Sequence, residues 1–344
     1  MKHYFLPLFL LITTTLHAQT FKNPLLPAGA DPWSIYKDGY YYYMHTTGRD
    51  LSIWKTKDLS QLPSTEKVTV WTPPATGPYS KEIWAPELHH LRGKWYIYFA
   101  ADDGRNRNHR LYVLENEAAD PTTGTWTFKG KLETPQDKWA IDGSVFEHKG
   151  QLFLTWSGWE GDENGRQDIY LCKMSNPWTC TGNRIRISDP RYAWEQHGLL
   201  THPGPDDAPI VLVNEGPQPL VSPNGRINII FSASGCGTDY YALGMLHADA
   251  NADLMNPKSW IKHSEPVFRA TDVQGTHAAG HNSFFVSPDG TQHWILYHAN
   301  PEAGQGCGGK RAPRMQPFTF TADGVPVFGE PLPLGVEMKV PRAR

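Results

Sequence analysis

The chain has 344 residues, with 32 Lys and Arg against 35 Asp and Glu for a formal net charge of −3, and 12% of its residues are Phe, Trp or Tyr. That length suits one large domain or two small ones with ample apolar material for a core. A weakly acidic chain with no basic tract excludes nucleic acid and anionic membrane surfaces as partners.

The first segment, MKHYFLPLFLLITTTLHAQT, has a basic start at Lys2, an apolar run over residues 5–12 and a small residue, Ala18, at its end. This reads as a signal peptide over residues 1–18, too short to span a bilayer. No cysteine stands at the cleavage point to carry a lipid. No later run is apolar and long enough for membrane insertion. The expectation is a soluble, exported bacterial protein, periplasmic or secreted.

Residues 19–344 then read as one repeated design. A turn glycine leading into an aromatic or β-branched run recurs five times: KDGYYYYMHT at Gly39, RGKWYIYFAA at Gly93, KGQLFLTWSG at Gly150, NGRINIIFSA at Gly225 and DGTQHWILYH at Gly290. A polar or charged residue before each glycine marks a tight hairpin. Another apolar run precedes each turn (DPWSIY, PELHHL, DGSVFE, GPQPLVS, HNSFFVS), and a third strand follows each (LSIWKT, HRLYVLE, DIYLCKM, YYALGML, RMQPFTF). About four short strands, recurring at 54, 57, 75 and 65 residues, are the mark of propeller blades with large loops. The predicted fold is all-β, a single five-bladed β-propeller. A β-sandwich would not require five similarly built units.

Four cysteines accompany the repeat. Cys172 and Cys180 are near enough in sequence to close a short loop, whereas Cys236 (SGCGT) and Cys307 (QGCGG) can meet only through the fold. No pair has zinc-site spacing, and pairing stays open.

Polar groups stand at the head of each predicted first strand. Asp31 lies eight residues before its turn glycine, Glu87 six, Asp142 eight, Glu215 ten and His281 nine. The innermost strand of every blade lines the central channel, so these five groups are expected around one axis. Clustered carboxylates suit glycosidic bond cleavage, which needs one carboxyl protonated for the leaving oxygen and another ionised on the opposite face of the sugar. A third acid nearby raises the donor's pKa. Trp33, Trp84 and Trp159 flank these positions, as sugar-stacking walls or as ordinary sheet core.

The motifs ADPW at 30–33, WAPE at 84–87, IDGSVF at 141–146, NEGP at 214–217 and GHNSF at 280–284, in this order, resemble glycoside hydrolase family 43. The resemblance runs from about residue 21 to the region of Gly329. It implies a five-bladed propeller that hydrolyses arabinosyl or xylosyl linkages with inversion. On this resemblance Asp31 is the general base, Glu215 the general acid and Asp142 the carboxylate that tunes the acid. His281 matches a channel histidine holding a hydrated Ca2+, Glu87 would bind sugar or water, and Arg314 in RAPRMQPF would reach the pocket. The opening NPLLPAGADPW and the segment TDYYALGML look most like α-L-arabinofuranosidases acting on arabinose-containing oligo- or polysaccharides. Family xylosidases usually add a C-terminal β-sandwich, and this sequence ends at Arg344, soon after the fifth unit. The alternatives are a β-D-xylosidase, an endo- or exo-arabinanase, and a non-catalytic carbohydrate-binding propeller.

Overall fold

Gly39, Gly93, Gly150, Gly225 and Gly290 all turn the chain in the left-handed region, with φ between 76° and 86°. In the first three units the residue before the glycine is left-handed too (Asp38, Arg92 and Lys149). This gives two-residue hairpins of the twist that adjacent strands need. The fourth and fifth units use longer connections, residues 222–226 and 287–292.

The computed structural model describes residues 19–198 and 207–343; the expected leader, residues 1–18, lies outside them. Five antiparallel meanders account for most of the strands. Blade I begins with Trp33–Lys37, blade II with Lys81–Leu91, blade III with Ala140–His148, blade IV with Asp207–Val221 and blade V with His277–Val286. These first strands touch one another in order, and the last touches the first, which closes the ring. The fold is the predicted five-bladed β-propeller.

Two features were not foreseen. The third strand of blade III, Asn164–Asn176, pairs in parallel with the start of blade IV's first strand, joining Arg166 to Leu212 and Gln167 to Val213. Blades III and IV therefore form one eight-stranded sheet. The ring is also clasped by both ends of the chain: Thr20–Lys22 pairs with Glu337–Lys339. Beside that clasp the Asn23 amide holds both backbone groups of Met315, each at 3.0 Å.

The aromatic residues mostly fill the spaces between blades. Blades II and III pack Tyr96, Tyr98, Trp139, Trp156, Trp159 and Tyr170 together, and blade V meets blade I through Tyr41, Phe285 and Trp294. Burying each such ring stabilises the fold by roughly 1.5–3 kcal/mol.

Candidate active site

Besides Glu82 (φ 49°) in blade II and Ala278 (50°) in blade V, each unit has a left-handed residue in or just before its first strand: Asp31 (58°), Ala85 (42°), Asp142 (54°), Gly216 (55°) and His281 (47°). In blades II to V the ladder slips at this point, as a β-bulge. Pro32, Pro86 and Pro217 follow three of these residues and supply no N–H, which suits a break in the ladder. A left-handed backbone at a non-glycine residue costs about 1–2 kcal/mol. The ring stores that strain at four places and re-aims the side chains there.

Asp31 is buried and heavily partnered. Thr46 donates to its Oδ2 at 2.6 Å, and the Thr46 hydroxyl in turn accepts the Ala85 N–H at 2.7 Å. His281 Nδ1 and Arg311 Nη1 each lie 3.3 Å from its Oδ1. The Asp31 N–H donates to His298 Nδ1 at 3.1 Å, and burial keeps that imidazole neutral. Burial opposes ionisation of Asp31, but His281, Arg311 and the Thr46 hydroxyl together outweigh it and hold its carboxyl far below the usual range.

Glu215 and Asp142 sit in the opposite condition. Burial pushes both upward. The charges of Glu215 and Asp31 push Asp142 further, to about 7, against the pull of His281. Asp142 Oδ2 accepts the N–H of Gly216 at 2.9 Å, so it holds the backbone of the residue next to Glu215. Tyr241 donates to Glu215 Oε1 at 2.7 Å. Its ring has room there because residue 280 is glycine: a Cβ would lie 2.3 Å from Tyr241 Cε1. One buried cluster thus contains an acid driven to ionise and two driven to keep a proton.

A family model, "Glycosyl hydrolases family 43", matches residues 21–326. The chain belongs to glycosyl hydrolase family 43. An extracellular exo-α-(1→5)-L-arabinofuranosidase of Streptomyces avermitilis is 38% identical over 326 residues, 92% of this chain and 65% of that protein. The chain thus spans less than two thirds of that relative. A protein of the same name from Streptomyces chartreusis is 37% identical over 81% of this chain and 82% of its own. The crystal structure of an α-L-arabinofuranosidase from Lactobacillus brevis superposes with a TM-score of 0.83 at 35% identity, covering 92% of this chain and 98% of that one.

Within this family 43 chain, the structure brings Asp31, Asp142, Glu215 and His281 together and gives the other expected residues partners of their own. Glu87 is not the blade II counterpart of Asp31; Ala85 is. Glu87 lies two residues further along, with its carboxylate taken by His89 (2.8 Å) and by the amide of Gln218 from blade IV. Arg314 does not reach the pocket. It is fully buried, and its guanidinium is spent on Thr276 Oγ1 at 2.6 Å and Gly275 O at 2.8 Å. Arg311, three residues earlier, is the arginine at the carboxylates. Trp159 is buried against Trp139, at 4.8 Å and 10° between planes. Trp33 is anchored to Leu88 O through its indole N–H. Trp84 is half-buried and stacks on His109 at 4.0 Å. Thr46, Tyr241, His298 and Arg311 were missed.

The residues do not assemble a calcium cage. Among the described residues no three His, Cys, Asp or Glu side chains converge on a metal-sized site. His281 commits Nδ1 to Asp31, and calcium prefers oxygen ligands. Among the described residues, the buried amide of Asn282 and His298 Nε2, on a ring 5.9 Å from that of His281, have no hydrogen-bond partner. Burial lowers the His281 pKa, but Asp31, Asp142 and Glu215 outweigh that and raise it.

Proposed function

We propose that this family 43 chain releases α-L-arabinofuranosyl residues from arabinose-containing oligo- or polysaccharides by an inverting hydrolysis. The observation that carries the mechanism is the opposed surroundings of two carboxyls in one cluster: Asp31 lies against His281, Arg311 and Thr46, which hold its pKa down, whereas burial pushes that of Glu215 up. Asp31 takes a proton from water as that water attacks the anomeric carbon. Glu215 gives its proton to the departing oxygen. Burial and the Asp31 charge push Glu215 toward its protonated form, and Asp142 fixes the acid's backbone through Gly216. The arabinofuranosyl preference is supported by the names of the relatives at 37–38% identity. The periplasmic or secreted location is supported by the leader and by the word extracellular in those names; among the described residues no helix is long and apolar enough to cross a membrane.

The test is hydrolysis of p-nitrophenyl α-L-arabinofuranoside against p-nitrophenyl β-D-xyloside, with the first-formed anomer read by NMR. The arabinoside is expected to be preferred and the product inverted. Glu215→Ala is expected to lower kcat by about 10²–10⁴-fold. Preference for the xyloside would overturn the substrate, and a retained anomer would overturn the mechanism.

A further inference from the structure

Two glycine-rich loops stand side by side on the rim of the pocket, residues 234–241 of blade IV and 301–311 of blade V. Each joins the second strand of its blade (Ile227–Ala233, His293–Asn300) to the third (Ala242–Ala248, Ala312–Phe320). Each ends on the residue that holds one member of the acid–base pair. Tyr241 closes the first loop and donates to Glu215 at 2.7 Å. Arg311 closes the second and lies 3.3 Å from Asp31. The two loops are tied to each other. Cys236 and Cys307 form a disulfide across 71 residues of sequence, and the Asp239 carboxylate accepts the Gly304 N–H at 2.9 and 3.0 Å. The Gly306 Cα carries no side chain where it faces Gly237; an added Cβ would lie 3.5 Å from that residue's backbone. Cys307 and Arg311 also line a cleft of about 440 Å³, together with His45 and Thr46.

We propose that the Cys236–Cys307 disulfide, with Asp239, is a positioning element for catalysis: it fixes Tyr241 and Arg311 relative to each other, and through them the acid Glu215 relative to the base Asp31. The inference rests on the acid–base reading above. Loops this rich in glycine have many alternative conformations. Two catalytic groups must be held within a fraction of an ångström for an in-line attack, and a misplacement near 1 Å can cost about 10²-fold in rate. The second disulfide, Cys172–Cys180, lies within blade III with Cys172 fully buried, and serves as an internal control.

The experiment compares wild type, Cys236→Ala/Cys307→Ala, Cys172→Ala/Cys180→Ala and Asp239→Ala. Each is assayed for kcat and KM on p-nitrophenyl α-L-arabinofuranoside, well below its own Tm. The Cys236/Cys307 variant is expected to lose kcat by roughly 10- to 100-fold with KM changed by less than about threefold. Asp239→Ala is expected to lose kcat in the same direction, and it decides the question if the double variant fails to fold. The Cys172/Cys180 variant is expected to lose Tm while keeping kcat. Unchanged kcat in folded Cys236/Cys307 and Asp239 variants would overturn the proposal, as would an equal loss in the blade III control. A wild-type protein inert on arabinosides would overturn the acid–base reading instead, a distinguishable result.

Discussion

Asp142 is pushed up to about 7 from an ordinary value near 3.8, first by burial and then by Glu215 and Asp31. Its folded pKa therefore exceeds its unfolded one, so the folded state binds the proton more tightly. Its contribution to stability is greatest below pH 4 and is lost as pH rises from there through about 7. Asp142→Asn removes the charge, so it is expected to raise Tm at pH 8 and to leave Tm nearly unchanged at pH 3.5; thermal melts at both pH values check this. The same substitution is expected to lower kcat, because the carboxylate that holds the Gly216 N–H beside Glu215 is replaced by a weaker acceptor. Asp31, Asp142, Glu215 and His281 were all readable from the sequence, because each sits eight to ten residues before a turn glycine. That spacing also predicts Ala85, which lies eight residues before Gly93 just as Asp31 lies eight before Gly39. Searching only for polar residues led to Glu87 instead. Thr46, Tyr241 and Arg311 escaped for another reason. They come from the ends of second and third strands, and only cross-strand pairing brings them to the first.

At the scale of elements, the fourth strand of blade IV is just Ile261–Lys262, yet it anchors the ground beneath the acid. The Lys262 ammonium is almost wholly buried. It meets Glu195 Oε1 at 2.5 Å, Asp189 O at 2.6 Å and Asn214 Oδ1 at 3.1 Å. Asn214 immediately precedes Glu215 and also donates to Glu195, at 3.0 Å. Burial lowers the Lys262 pKa to about 8 despite this partner. Lys262→Met would leave the Glu195 carboxylate buried without its cation. The expected loss is about 3–5 kcal/mol in denaturant unfolding; a change below about 1 kcal/mol would mean that the pair stabilises little. None of this was legible in NPKSWIKHS, since the partners lie 67 and 48 residues away in the chain. The parallel seam between blades III and IV was hidden for the same reason. It uses strand ends that each blade's own pattern leaves unassigned.

At the scale of the molecule, the five-unit repeat was the clearest signal, because a period of turn glycines survives large variation in loop length. The clasp was not legible, since TFK and EMK are too short to carry any periodicity. The Asn23 anchor beside it is testable. Asn23→Ala strips both backbone groups of Met315 of their partner, and the expected cost is about 2–4 kcal/mol in chemical unfolding. The clasp also bears on when the site comes into being. Asp31 is held by His298 and Arg311, at sequence separations of 267 and 280 residues. The proposed general base thus belongs to the first blade, while the two cationic partners of its carboxylate, His281 and Arg311, belong to the last. A nascent chain that has completed four blades has its acid, Glu215, in place and no base poised to work with it. Turnover therefore begins only when the ring is whole, and activity is itself a signal that the last blade has docked onto the first.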